Sequence, residues 1–489
     1  MNTILRATIV LLLTACVSCV VYLTWQHKVG DFGVETDLYS FYAPTAQALE
    51  NGHIKLDDFH PPLYGWLLGL IAMTHVLPGE FEAALLISVL SYLAIVLLIW
   101  LIARVSFPKD ETIAGYATVI VACNPGLMEF ACRADVHILY LALSLGAIYF
   151  ALRKNAWMTG VLVALALWTR YTWFLSIIPL FFIPPRKAIP AWSIAAAAWT
   201  GLGLLTLAYQ DVWMYNLNHI SFAAGLYNTE MTTNPGLWDR LHQAEFEHLS
   251  LLGIVLHDPG LAAKSVATHF GVYAYKTLIF LMVLPTGILA VFGLRKKYWG
   301  NFRHPLLIWT AVFFIVLTVT FWDGQYVLGL IPLLGLAAAL QLTDLPFPRI
   351  ARWVAPVIIL GLAVWGCVKV NRVVFPGPVS IKYVALSLRD LPGERVAARD
   401  PRVFYYSGKK PGKISLTDKG LVRLDTDYIF ISPYEGILND TLMRIFNQSN
   451  FIDQCENMTP WSNQHVKVLK FKSENSVKPD LRQKNMPAQ

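Results

Sequence analysis

Long apolar runs separated by short polar clusters fill the first three quarters of the chain. They lie near residues 4–25, 81–103, 112–130, 134–152, 156–170, 171–185, 189–209, 269–293, 304–321, 325–342 and 352–371. A bilayer is crossed by roughly 20 apolar residues in helical form. No water is available there for unpaired backbone groups, so a helix is the spanning structure this pattern predicts. The reading is a mainly α, polytopic membrane protein of about eleven spans. The split between the fifth and sixth spans rests on Arg170 and Tyr171, in a run that ends at Pro184-Pro185.

Beyond residue 371 the pattern changes. Val396-Ala397-Ala398, Tyr428 to Ile431 and Val466 to Leu469 read as strands, and Leu438 to Gln448 reads as a helix. A membrane domain over 1–371 and a small α/β domain over 372–489 follow, with a polar, disordered tail from about residue 474. Two connections are long, 26–80 and 210–268. Within the first, Leu38 to Leu49 reads as an interfacial helix started or kinked at Pro44. Leu63 to Leu77, after Pro61-Pro62, is short for a span and reads as a second interfacial or partly buried helix.

Charge fixes an orientation. Arg6, Arg104 with Lys109, Arg153 with Lys154, Arg186 with Lys187, Arg295 to Lys297 with Arg303, and Arg349 with Arg352 fall on one side of the predicted spans. Basic loops stay in the cytoplasm, so the N-terminus is expected there. An odd span count puts the two long loops and residues 372–489 on the outer side. The first run reads as a retained signal anchor in preference to a cleaved signal peptide.

Composition agrees with this reading. Of 489 residues 56% are hydrophobic and 15% charged, with mean hydropathy +0.49. Soluble domains carry about 25% charged residues. The net charge of +7 is not gathered on one face, so a nucleic-acid partner is not expected. Five of six cysteines fall in or beside apolar runs, and Cys16 and Cys19 read as packing residues, so neither a zinc ribbon nor a disulfide framework is expected. Three N-x-S/T triplets start at Asn439, Asn447 and Asn457; they read as chance in an Asn-rich stretch, with glycosylation in a eukaryotic lumen the alternative.

The chemistry concentrates on the outer side. Asp31, Glu35 and Asp37 lie within seven residues just past the first span, and His60-Pro61-Pro62-Leu63-Tyr64 follows. Asp37 also suits a plain helix N-cap. Arg133, Asp135 and His137 sit between the third and fourth spans, Arg170 ends the fifth, Lys276 lies inside the eighth, and Asp323 with Gln325 and Tyr326 precedes the tenth. Ionisable groups at membrane depth are costly and point to function, although any one of them also fits a side chain snorkelling to the interface. As a set, they suit a lipid phosphate held by cations beside a carboxylate base. His219, His242, His248 and His257 lack tight metal-ligand spacing.

The pattern Asp37-x-Tyr39-x-x-Tyr42-Ala43, Leu49-x-x-Gly52, His60-Pro61-Pro62-Leu63-Tyr64 resembles the first outer loop of GT-C fold glycosyltransferases. More narrowly it is similar to the group of protein mannosyltransferases, aminoarabinose transferases and rhizobial lipopolysaccharide transferases. Arg133-Ala134-Asp135 and Leu167 to Tyr171 resemble later motifs of that group, with Arg170 where Lys is more usual. Asp323-Gly324-Gln325-Tyr326 to Pro332 resembles another, with Gln325 where Arg is common. The resemblance implies a polyprenyl-phosphate-linked sugar as donor and a hydroxyl of a lipid, glycan or protein as acceptor, in a bacterial inner membrane with the C-terminal domain periplasmic. It implies Asp37 as general base, with Glu35 and Asp135 orienting it, the acceptor or a divalent metal ion, for which Glu35 and Asp37 would be the ligands. His60 and Arg170, then Lys276 and Arg133, would meet the donor phosphate, with Tyr39 and Tyr64 lining the substrate site. A transporter or flippase, and an outer-leaflet glycan polymerase, are the alternative readings. A transporter would normally carry internal repeats, and none of fixed period is visible.

Overall fold

The computed structural model describes residues 3–26, 37–56, 60–170, 173–210, 223, 225–227, 245–246, 249–299, 304–319, 326–344, 357–358, 361–362, 364–366, 368, 376–398, 400–417, 420–431, 455–457 and 467–471. The expected helix at 438–448, the tail from 474 and most of the 352–371 run lie outside them. Two compact units are formed. One is Met1–His27 with Phe41–Val373, the other Lys28–Ser40 with Val374–Gln489.

In the first unit the apolar runs fold as α1 (Thr3–Gln26), α2 (Ala43–Glu50), α3 (Leu63–Ala72), α4 (Glu80–Ser106), α5 (Glu111–Ala122), α6 (Pro125–Ala131), α7 (Val136–Leu152), α8 (Ala156–Leu167), α9 (Trp173–Ser176) and α10 (Pro185–Gln210). After the second long connection come α11 (Leu251–His257), α12 (Pro259–Lys276), α13 (Leu284–Gly293), α14 (Lys296–Trp299), α15 (Pro305–Thr318) and α16 (Ile331–Thr343). Among the described residues three helices are long and apolar enough to cross a membrane, or five if two bent pairs each count as one. The multi-pass character is plain in these runs.

Three expected spans take a different form. The 112–130 run bends by 59° between α5 and α6, where Asn124-Pro125 starts a new helix. The 269–293 run is not one rod: α12 passes through a π turn, Thr277–Leu281, and meets α13 at 119°. Val283 takes a positive φ of 59° there, which is costly for a β-branched residue. Asn124 joins the two bends, capping Leu127 N and donating to Leu281 O at 2.8 Å. The 171–185 run gives only α9 and a 3₁₀ turn, Ile178–Phe182, because Pro179 removes a backbone donor in mid-run.

Close helix contact depends on small residues. A Cβ on Gly293 would overlap the Ala337 carbonyl oxygen, so α13 and α16 meet backbone to backbone. At Gly69 a Cβ would stand 2.9 Å from Ala46 O, which lets α3 lie on α2.

Polar pairs tie one edge of this unit. Arg6 Nη2 donates to Glu111 Oε2 at 2.6 Å, joining the starts of α1 and α5. Ser106 Oγ at the end of α4 lies 2.7 Å from His304 Nε2 at the start of α15. Lys297 and Tyr298 both bond Asp344 at the end of α16. Those hydrogen bonds hold the Asp344 carboxyl below its usual range. Helices α5 and α15 therefore start at this edge and run away from it.

In the second unit five strands pair in the order β2 (Lys410–Pro411), β1 (Arg395–Ala397), β5 (Tyr428–Ile431), β7 (Lys467–Phe471), β6 (Cys455–Asn457). β1 is parallel to β2 and β5, while β7 is antiparallel to β5 and β6. β3 (Lys413–Thr417) and β4 (Gly420–Asp425) form a separate hairpin. α17 (Pro376–Arg389) packs on α18 (Pro401–Ser407), which Asp400 caps through Arg402 N and which ends at Gly408 with φ 65°. The buried Asp400 carboxylate also accepts from Arg402 Nε at 2.8 Å. Tyr39 belongs to this unit. Its hydroxyl is 2.8 Å from that of Tyr406, and its ring meets Tyr405 edge-on at 4.9 Å.

Candidate active site

The start of α7, the segment after α8, α15 between Trp309 and Phe313 and the turn before α16 build a cleft in the first unit, lined among others by His137, Tyr140, Arg170, Trp309, Phe313 and Tyr326. Its charged part starts at a helix cap. Asp135 has extended backbone and accepts from His137 N at 2.6 Å, so the chain turns into α7 there. The same oxygen, Oδ1, lies 2.8 Å from His137 Nδ1. Asp135 and His137 are 2% and 4% exposed. A carboxylate so buried is tolerable only when hydrogen-bonded, and the imidazole and backbone N–H supply those bonds.

Arg170 comes from the other side. α8 unwinds at Trp168, whose Nε1 donates to Ala198 O at 2.9 Å and anchors this end of α8 on α10. Arg170 N still reaches Ala166 O, and the guanidinium lies 5.1 Å from the Tyr326 ring centroid. Tyr326 in turn meets His137 edge-on at 5.1 Å. A cation on an aromatic face beside a buried Asp–His pair is thus assembled from three separate chain segments. The Arg170 charge also acts on Asp135.

His60 lies near this cleft but does not line it. Leu63 N donates to Trp168 O at 3.0 Å, pinning the start of α3 to the turn that leads into Arg170. Trp66 packs on Trp168 at 5.7 Å. His60 itself sits against Phe41 at 4.5 Å and Tyr42 at 5.1 Å, in a shallow depression shared with Thr45, Lys55 and Pro62. Tyr64 is fully buried, edge-on to Tyr42 at 4.9 Å.

The other sequence candidates are distributed more widely. Arg133 pairs with Glu129, one helical turn earlier, and lies 4.9 Å over the Phe130 ring. Lys276 ends α12, and neither it nor Arg133 lines the cleft of Arg170. Asp37 directly precedes a π turn, Leu38–Tyr42, that runs into α2. Tyr39 is 3% exposed in the second unit, its hydroxyl held well above the usual phenol range by burial and then by Tyr406. Glu35, Asp323 and Gln325 lie outside the described residues. Among the described residues no group of three metal-ligating side chains gathers.

Tyr140, Trp309 and Phe313 line the cleft without a signal in the sequence. Each stands inside an apolar run, where a packing aromatic looks the same. Tyr326 was legible through the polar residues before it.

Comparisons with known proteins agree with this architecture. Residues 59–208 match the model of a family described as dolichyl-phosphate-mannose-protein mannosyltransferase. The fold is similar to a crystal structure of ArnT from Cupriavidus metallidurans bound to undecaprenyl phosphate, with a TM-score of 0.56 and 13% identity over 94% of this chain and 97% of that one. The apo form of the same ArnT gives a TM-score of 0.51 and 14% identity over 95% and 98%. An oligosaccharyltransferase of Archaeoglobus fulgidus, in complex with zinc and sulfate, gives 0.51 and 12% over 86% of this chain and 68% of that one. No curated protein sequence matches the chain.

Proposed function

We propose that this chain is a GT-C-fold membrane glycosyltransferase and that it moves a sugar from a polyprenyl-phosphate donor to a hydroxyl acceptor at the outer face of the membrane. The observation that carries the reading is the cleft in which Arg170 lies on Tyr326 beside the Asp135–His137 pair. A guanidinium beside aromatic rings in a largely apolar cleft suits a phosphate on a lipid tail. The ArnT structure of similar fold is one bound to undecaprenyl phosphate.

In this mechanism Asp37 takes the proton of the acceptor hydroxyl as its oxygen attacks the anomeric carbon. The bond from that carbon to the phosphate oxygen breaks in the same displacement, so the anomeric centre inverts. Negative charge grows on the departing polyprenyl phosphate, and Arg170 stabilises it, with His60 on the adjoining segment. Arg133 and Lys276 contribute at longer range, Asp135 fixes His137 in the cleft wall, and Tyr64 braces the aromatic group around His60. The reading includes about eleven spans, a cytoplasmic N-terminus and an outer C-terminal domain, as the basic loops require. A bacterial inner membrane is its setting, a cell-envelope lipid or glycan the favoured acceptor class.

Purified protein assayed against a panel of polyprenyl-phosphate sugars tests this. Transfer from one or more of them is expected, abolished in Asp37→Asn with the protein still folded. Near-normal turnover by Asp37→Asn would remove Asp37 as base. Absence of transfer or hydrolysis from every donor would overturn the function.

A further inference from the structure

Trp309 is the largest fully buried side chain of the described residues, at 0% exposure, and it lines the cleft of Arg170, His137 and Tyr326. Its indole Nε1 finds no hydrogen-bond partner among the described residues. An indole N–H is a donor only, and a buried donor without a partner has lost its water with nothing in return. Buried tryptophan N–H groups usually do find a partner. The surroundings explain why no protein acceptor is at hand. Phe313 packs on the Trp309 ring at 5.2 Å, and Leu141 and Leu328 line the same cleft. For packing alone, phenylalanine would fill such a site without stranding a donor.

We propose that the Trp309 indole N–H is a ligand donor: with Arg170 it binds an oxygen of the phosphate group of a polyprenyl phosphate. This rests on the reading that the cleft takes a lipid phosphate. The two groups divide the work. Arg170 supplies charge, and Trp309 supplies one directed hydrogen bond from an apolar wall. Leu141, Phe313 and Leu328 complete that wall. It suits a phosphate arriving on a hydrocarbon chain better than a free ion, which would lose its hydration with no apolar surface of its own to bury.

The test measures binding of undecaprenyl phosphate to the full-length protein in detergent, together with thermal unfolding of the ligand-free protein. Trp309 is replaced by 3-benzothienylalanine, which keeps the bicyclic shape and lacks the N–H, and separately by phenylalanine (Trp309→Phe). With the isostere, affinity is expected to fall about tenfold, as for a hydrogen bond to a charged acceptor, while the ligand-free unfolding midpoint stays the same or rises. Trp309→Phe is expected to weaken binding at least as much. Native affinity in the isosteric variant overturns the inference while leaving the proposed function intact. So does a lowered ligand-free midpoint in that variant, because it would mean that the N–H is satisfied within the protein. No binding by the native chain overturns the inference and the function it rests on together. Inorganic phosphate serves as a second ligand: if it binds as tightly as the lipid and loses as much on loss of the N–H, the lipid assignment fails.

Discussion

At the scale of single residues, the candidate site turns on how a cation and a carboxylate are kept in an apolar setting. Arg170 lies on an aromatic face, and Asp135 spends its acceptor capacity on a helix cap and an imidazole. Arg170→Gln should lower transfer by about two orders of magnitude, the scale of losing one preorganised electrostatic group. Arg170→Lys should retain part of the activity, since an ammonium keeps the charge but not the planar fork. Initial rates at saturating donor check both; equal rates for the two variants would mean that charge at 170 is irrelevant. Asp135→Asn keeps a capping oxygen but loses the charge facing His137. It should cost little stability and still reduce turnover, read from unfolding midpoints beside rates. The sequence made these two positions legible because a charge in a membrane-depth run stands out. Trp309 did not stand out, since its unusual feature is a missing partner, which only a folded structure reveals.

Among the elements, the sequence located the apolar runs but not their bends. Hydropathy is blind to a change of direction, so the 119° turn at Val283 was read as a single rod. The irregular 171–185 segment had its cause in view at Pro179, but two short runs split at Arg170 hid it. Helix contact can be tested at Gly293. A methyl group there has only the Ala337 carbonyl to meet, and backbone cannot rotate aside as a side chain does. Gly293→Ala should destabilise by about 1–3 kcal/mol, and a thermal midpoint equal to the native one would show that α13 and α16 are less closely packed. In the second unit, Tyr39→Phe and Tyr406→Phe remove the two ends of one hydrogen bond. Their double mutant should be less destabilised than the sum of the singles, by about 1 kcal/mol. Strict additivity would mean that the bond contributes nothing.

Across the whole molecule, one edge of the helical unit is closed by ion pairs and hydrogen bonds, and α15, which starts at that edge, contributes Trp309 and Phe313 to the cleft. The sequence reading expects basic clusters on one side of the spans and mixed charges on the other. What the sequence withheld was which of the mixed charges share a wall: Arg170, His137 and Tyr326 do, whereas Arg133 is engaged by Glu129. Undecaprenyl phosphate at a hundred times its dissociation constant should stabilise the folded protein by about 2.7 kcal/mol. That rise in midpoint should vanish in Arg170→Gln, and its survival there would place the lipid elsewhere.

The cleft also carries a consequence for biogenesis. Its walls come from segments far apart in the chain, with Arg170 translated well before Trp309 and Tyr326. At roughly 5–20 residues per second, Tyr326 leaves the ribosome about eight to thirty seconds after Arg170. During that interval the guanidinium is already inserted, and the aromatic face that will cover it does not yet exist. A nascent chain stalled between these points presents Arg170 without the Tyr326 ring on which it rests in the finished fold.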